Sequence, residues 1–277
     1  MRISLGCVKG VPDVREALGS VPLDLVFCQP LSLLPQVRES LMQHWPAAKL
    51  VYAWTDGWPE RIGRFEEAYS LADAVVINSL ECWEKLGRRS RTYMIPNGVD
   101  LEIFRVCRPI ETRSPKVLWL GSELARDRKG YDDFLVPLAR KLRDLGIPAD
   151  FRLVDSYGAN KMTAAEMVDW YNTGTVLVCA SRTEGTPNIT LEAAACGCTV
   201  VSTPVGNMPQ LLQNGVNGYL VSRDVDALLE GVTKACAGYP RLAARMQTDI
   251  QAWHSRDRAA EYCRAFRDVL QETRLQP

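Results

Sequence analysis

Apolar and polar positions along this chain follow two rhythms in alternation. Short runs of aliphatic and β-branched residues are followed by longer stretches whose apolar residues lie three and four apart. The first rhythm predicts strands over 3–8, 24–28, 49–54, 73–78 and 92–95. The second predicts helices over 12–18, 31–44, 60–71 and 80–86, the last stopped by Gly87. The turn Pro96-Asn97-Gly98 follows, and residues 105–115 are polar, hold two prolines and lack periodicity, as a linker does. Beyond them the alternation restarts. Strands are expected over 116–120, 151–154, 175–180, 198–202 and 218–221. Helices are expected over 131–145, 163–171, 187–196, 208–212 and from 226, with a long amphipathic helix over about 251–270. Strands alternating with helices predict parallel sheets covered on both faces, here in two domains. The ligand crevice of such folds lies at the C-terminal ends of the strands.

Composition narrows this little. A chain of 277 residues suits two domains of ordinary size. Lys plus Arg equals Asp plus Glu, so net charge gives no pointer to a polyanionic partner. No signal-peptide pattern opens the sequence and no apolar run is of bilayer length, so a cytoplasmic protein is expected, with peripheral contact to a membrane left open. The nine cysteines include no CxxC pair. They read as reduced core thiols rather than as a metal site or disulfide framework. No cofactor and no metal are expected. Asp224-Val225-Asp226 has the spacing of a carboxylate pair but stands where a helix starts, and capping is the better use of it.

The segment richest in chemistry is Ser181-Arg182-Thr183-Glu184-Gly185-Thr186-Pro187-Asn188-Ile189-Thr190-Leu191-Glu192. It follows an almost wholly apolar strand. Thr186 is a candidate N-cap and Pro187 suits the first helical position, with Gly197 closing a short Ala-rich helix. A helix that begins there points free backbone N–H groups and the positive end of its dipole at the crevice, which suits a diphosphate. Glu184 precedes it and Glu192 lies about a turn and a half into it, where a carboxylate can accept from a vicinal diol such as a ribose. An ordinary capped strand–loop–helix with two solvated glutamates fits the same residues, and composition alone does not choose between them.

The pair Glu184 and Glu192 within EGTPNITLEAAACGCTVV resembles the signature of retaining glycosyltransferases of family four, which have the GT-B fold. The likeness runs on through residues 202–207 and 215–221 and is supported upstream by Ile95-Pro96-Asn97-Gly98-Val99-Asp100. The resemblance implies two Rossmann-like domains facing a central cleft. An acceptor-side domain would occupy 1–104, a linker 105–115 and a nucleotide-sugar-binding domain 116–250. The terminal helix, 251–277, would cross back onto the first domain. It also implies a donor such as a UDP- or GDP-sugar, with Glu184 at the transferred sugar, Gly185, Thr186, Pro187 and Asn188 lining sugar and diphosphate, and Glu192 on the ribose. At Ser122 the family commonly has arginine, and at Lys129 it has lysine, both serving the diphosphate. Here the lysine is kept, and Arg126 or Arg128 in the same loop is a candidate for the missing charge.

Other departures are visible. Residues 6–12 are a poor copy of the family's glycine-rich loop, and Thr55 stands where a histidine is usual, while Asp56 remains as a candidate to orient the acceptor hydroxyl, or as an ordinary turn residue before Gly57. The resemblance also implies front-face transfer with retention, which needs no strong side-chain base because the leaving diphosphate can take the proton. Trp54 and Trp58 could stack on a sugar or sit in the core. Lys85, Arg88, Arg89 and Arg91 form a basic cluster that could meet anionic lipid or nucleic acid, or simply decorate a helix C-terminus, the favoured reading. The expected function is transfer of a sugar to a hydroxyl acceptor, and a short first domain suits a large or polymeric one. The alternatives are a catalytically degenerate sugar-nucleotide-binding subunit and a GT-B epimerase.

Overall fold

A computed structural model describes residues 23–29, 31–55, 62–86, 89–154 and 161–272. The strand and helix expected over 3–18, the poor copy of a glycine-rich loop at 6–12, and Asp56, Trp58, Gly87 and Arg88 lie outside them. The chain forms two compact units, residues 1–96 with 259–277, and residues 97–258.

Among the described residues, unit 1 holds β1 (Leu25–Cys28), α1 (Leu34–His44), β2 (Lys49–Trp54), α2 (Ile62–Leu71), β3 (Ala74–Ile77), α3 (Leu80–Lys85) and β4 (Thr92–Met94). The four strands are parallel and adjacent in chain order, with Leu25 opposite Lys49, Val51 opposite Ala74 and Val75 opposite Thr92. A parallel strand covered on both faces must be apolar on both, and Leu-Val-Tyr-Ala-Trp of β2 is. Leu50, Tyr52 and Trp54 pack with Val75, Ile77 and helix residues Leu34, Leu41 and Phe65. Val51, on the other face, packs with Leu25, Ala74 and Val76. Trp54 is 2% exposed and meets Phe65 edge-on, so it belongs to the core rather than to a stacking platform.

Three residues of the basic cluster, Lys85, Arg89 and Arg91, have partners within this unit. Lys85 pairs with Glu81 at 2.6 Å, Arg89 pairs with Glu66 and lies over Phe65 and Tyr69, and Arg91 lies over Tyr69 and donates to the Ala72 and Asp73 carbonyls.

Unit 2 runs β5 (Val117–Ser122), α4 (Val136–Asp144), β6 (Ala149–Val154), α5 (Ala164–Tyr171), β7 (Val176–Cys179), α6 (Asn188–Ala195), β8 (Thr199–Ser202), α7 (Met208–Leu211), β9 (Gly218–Leu220), α8 (Val225–Gly238) and α9 (Arg241–Asp249). Its parallel sheet has the order β6-β5-β7-β8-β9. The order reverses between β5 and β7, which makes that point the natural place for a ligand. All four residues of β7 and of β8 are buried. The helix expected over 131–145 opens with a wide turn, Tyr131–Leu135, before regular α4. Asp224 caps α8, accepting from the Asp226 and Ala227 N–H groups.

The polar stretch 105–115 is tied down within unit 2. Ile110 and Arg113 are buried. Asn172 holds the stretch. Its Oδ1 accepts from the Cys107 and Arg108 N–H groups and from Arg113 Nη2, and its Nδ2 donates to the Arg105 and Val168 carbonyls. Periodicity is missing here because polar bonds, with the single buried apolar side chain of Ile110, fasten the chain. Asn172→Ala leaves several buried donors and acceptors unpaired. It is expected to lower stability by about 2–4 kcal/mol, read as a lower denaturation midpoint at unchanged m-value.

The last helix, α10 (Ser255–Glu272), follows a short 3-10 turn, Ile250–Trp253. Its residues from 259 onward count with unit 1. There Ala265, Phe266 and Val269 bury against Leu25, Val51, Val76 and Ile95, and Phe27 meets the rings of Tyr262 and Phe266 at 5.5 Å. No helix among the described residues is long and apolar enough to cross a membrane.

Candidate active site

The loop after β7 carries the residues singled out in the sequence. The Glu184 side chain is mostly out of water, and one of its oxygens gathers three donors. Its Oε1 lies 2.8 Å from Arg128 Nη1, 2.9 Å from Lys129 Nζ and 2.8 Å from Ser181 Oγ. Burial pushes the Glu184 carboxyl up, but the two cations and the hydrogen bonds outweigh it and hold the group below its ordinary value. Both cations come from the loop after β5. That loop is fastened to the β7 loop by Arg182 N–H donating to the Arg128 carbonyl, and by Arg128 Nη1 donating to the Thr183 carbonyl at 2.8 Å.

The two arginine candidates separate here. Arg128 is beside Glu184, whereas Arg126 is held by both oxygens of Asp132, by Glu123, and by the ring of Tyr131. Ser122 ends β5 opposite Val154, half-buried, and starts the short turn Glu123–Ala125. It brings no charge to Glu184.

The start of α6 differs from the sequence expectation. Pro187 occupies the cap position with no side-chain bond, and the helix begins at Asn188, not at Pro187. Thr186 does not cap it. Its hydroxyl accepts instead from the Asn97 N–H at 3.1 Å and from Asn207 Nδ2 at 2.7 Å, while Asn97 Nδ2 donates to Asn188 Oδ1. The reason is tertiary: the loops after β8 and around Asn97 reach Thr186 and compete for its oxygen. Gly185, Thr186 and Pro187 are buried and Asn188 is exposed.

A second loop supports the first from beneath. Thr203 Oγ1 donates to the Ser181 carbonyl at 2.7 Å. Gly206 sits against the Gly185 carbonyl with a positive φ of 56°, so near that a Cβ there would lie 1.9 Å from the oxygen. These buttresses were not assigned from the sequence, although Ser202–Asn207 carried part of the resemblance.

Glu192, on α6, is half-buried. Burial raises its carboxyl above the ordinary value, and a hydrogen bond from Tyr171 Oη at 2.8 Å opposes the rise. Glu184 and Glu192 are thus two carboxyls in contrasting surroundings, the first embedded among cations and the second facing a phenol.

The far end of the same sheet offers little comparable chemistry. A cavity of about 380 Å³ is lined by Lys116, Arg152 and Trp170 among others. Its two cations share Asp150, 3.3 Å from Lys116 and 2.9 Å from Arg152, and Glu166 and Asp169 also line it, so no excess of positive charge is left there. Burial raises the Asp150 carboxyl, but Arg152, Trp170 and Lys116 bring it down to about 2.

With this geometry the relatives can be placed. Residues 114–237 match the family described as Glycosyl transferases group 1. A D-inositol 3-phosphate glycosyltransferase of Xylanimonas cellulosilytica is 26% identical over 213 residues, covering 59% of this chain and 49% of that protein. D-inositol 3-phosphate glycosyltransferase 1 of Catenulispora acidiphila is 38% identical over 80 residues, covering 28% of this chain and 19% of that one. This chain therefore spans between about a fifth and a half of these curated relatives' length. Among solved structures, sucrose-phosphate synthase from Thermosynechococcus elongatus superposes with a TM-score of 0.71 at 16% identity, covering 90% of this chain and 74% of that one. Anabaena Alr3699/HepE, in complex with UDP and glucose, superposes at 0.65 with 18% identity, covering 90% and 76%. The chain resembles the group 1 glycosyltransferases, and its two parallel-sheet units have the GT-B fold.

Proposed function

We propose that this chain is a retaining glycosyltransferase that moves a sugar from a nucleotide-sugar donor to a hydroxyl acceptor. The observation that carries the reading is the cluster of Arg128 and Lys129 on Glu184, at the C-terminal end of a buried strand and just before α6. A leaving diphosphate needs positive charge fixed where its own charge grows, and two enclosed cations beside a helix N-terminus supply it without a resident metal. Arg128 takes the part of the arginine missing at Ser122. Glu184 addresses the transferred sugar, and the backbone of Gly185, Thr186 and Asn188 lines sugar and phosphates. Pro187 shapes that wall but has no N–H to give. Glu192 accepts from the ribose hydroxyls. Asp56 orients the acceptor hydroxyl, whose proton passes to the leaving diphosphate on the same face as the bond that breaks.

The test is a thermal-shift panel of UDP-, GDP-, ADP- and dTDP-sugars, the UDP-sugars first because Alr3699/HepE binds UDP. One base is expected to raise the melting temperature, since a ligand of the native state stabilises it. Glu192→Ala is expected to weaken that donor by about 1.5–3 kcal/mol, the worth of a charge-assisted bond. Isothermal titration reads it directly. No shift with any donor, or unchanged affinity in the variant, contradicts the assignment. Conversion of the donor to another sugar nucleotide without acceptor would identify an epimerase instead.

A further inference from the structure

Resting on the reading of Glu192 as the ribose carboxylate, we infer that Tyr171 is a positioning residue for nucleotide recognition. Its hydroxyl fixes one oxygen of Glu192 by a hydrogen bond and leaves the other turned to the sugar diol.

Tyr171 closes α5 and is fully buried. Its ring lies 5.1 Å from that of Trp170 and 6.3 Å from that of Phe104. It has no room to turn, so its hydroxyl stands at a fixed point in the unit. That hydroxyl donates to Glu192 Oε2 at 2.8 Å. Among the described residues Oε1 has no hydrogen-bond partner, and it is the oxygen left to accept from a ligand.

The protonation states assign the roles within the pair. Burial pushes the phenol well above its ordinary value, and the neighbouring carboxylate pushes it the same way, so Tyr171 keeps its proton and acts as a donor. Cys196 and Cys198, the other titratable groups facing the phenol, are driven up by burial as well and stay neutral. Burial also raises Glu192, while the Tyr171 bond is what lowers it. Without the hydroxyl that opposing bond is lost. A protonated carboxyl keeps a donor of its own and is a weaker acceptor for two ribose hydroxyls.

This separates a positioning role from a merely structural one. The probes are UDP and 2′,3′-dideoxy-UDP, with the GDP and ADP pairs run in parallel, titrated calorimetrically. In Tyr171→Phe the affinity for the ribose nucleotide is expected to fall about tenfold, and the affinity for its dideoxy partner to stay as in the wild type. With UDP-glucose, whose diphosphate does not titrate near neutrality, the pH below which binding weakens is expected to move upward in the variant. An equal loss on both nucleotides, or unchanged affinity with an unchanged pH profile, overturns the inference. A second variant, Glu192→Gln, keeps the shape and the phenol donor. It is expected to erase both the ribose preference and the pH dependence, and if it retains them the inference fails whether or not Tyr171→Phe folds. If wild-type protein binds both members of a pair equally, the ribose role of Glu192 falls and the inference with it. If no nucleoside diphosphate binds at all, the donor-site reading itself falls.

Discussion

Gly206→Ala is expected to cost the protein at least about a hundredfold in donor affinity, near 3 kcal/mol, the scale of a backbone clash at a strained position. The residue has a φ of 56°, where a side chain is disfavoured, and it abuts the loop that carries Glu184. An added Cβ would meet the Gly185 oxygen at 1.9 Å, the Gly185 carbonyl carbon at 2.9 Å and the Glu184 oxygen at 3.1 Å. All three are backbone atoms, so no flexible side chain can swing aside. The loop must shift instead. The neighbouring bonds to Thr186 from Asn97 and Asn207 resist that shift, since each of them depends on where the loop sits. Titration of the donor identified by thermal shift, with circular dichroism to verify folding, checks the effect. Affinity within twofold of the wild type would show that the loop after β8 does not hold the site.

The second large effect concerns Glu184 and its cations. Side-chain exposures of 10% for Glu184, 13% for Lys129 and 22% for Arg128 place all three mostly out of water. Removing the carboxylate leaves two enclosed cations facing each other, and breaking a buried pair from one side costs about 3–5 kcal/mol. Glu184→Ala should therefore lower stability by that order. Lys129→Ala should cost less, since Arg128 remains on the carboxylate. The double variant should be more stable than the sum of the two predicts, because the groups share one contact.

Acid adds a signature. The folded-state carboxyl lies below its ordinary value, so Glu184 contributes stability above its unfolded pKa, near 4.5, and that contribution disappears as pH falls through the lowered folded value. Glu184→Ala should remove this part of the acid limb. Denaturant melts of the four proteins between pH 3 and 7 measure all of this. Additive losses, or an unaltered acid limb, would mean the cluster is not coupled. On the proposed function, turnover in Glu184→Ala should drop further than donor affinity does, as loss of a group acting on the transferred sugar requires.

Much of this molecule is readable along the chain. Strands β2, β3, β5, β7 and β8 are apolar runs because a parallel sheet covered on both faces leaves no polar side to betray its period. Glu184 and Glu192 stand out because the sequence around them resembles a family signature, whose spacing a short strand–loop–helix fixes locally. Where one residue has several possible partners, local reading stops. Thr186 has the chemistry of a cap, yet Asn97, 89 positions away, takes its hydroxyl. Arg126 and Arg128 are two residues apart in one loop, and only folding turns one toward Asp132 and the other toward Glu184. The stretch 105–115 has the composition of a linker, and Asn172 makes it part of unit 2.

From the chain alone come the two parallel-sheet domains, since periodicity fixes them, and the segment that bears the two glutamates, through its resemblance to a family signature. Which cation meets which carboxylate, why position 206 must be glycine and how Tyr171 reaches Glu192 are matters of tertiary structure. They depend on distances between residues remote in the chain, and burial alone makes those few charges and hydroxyls count.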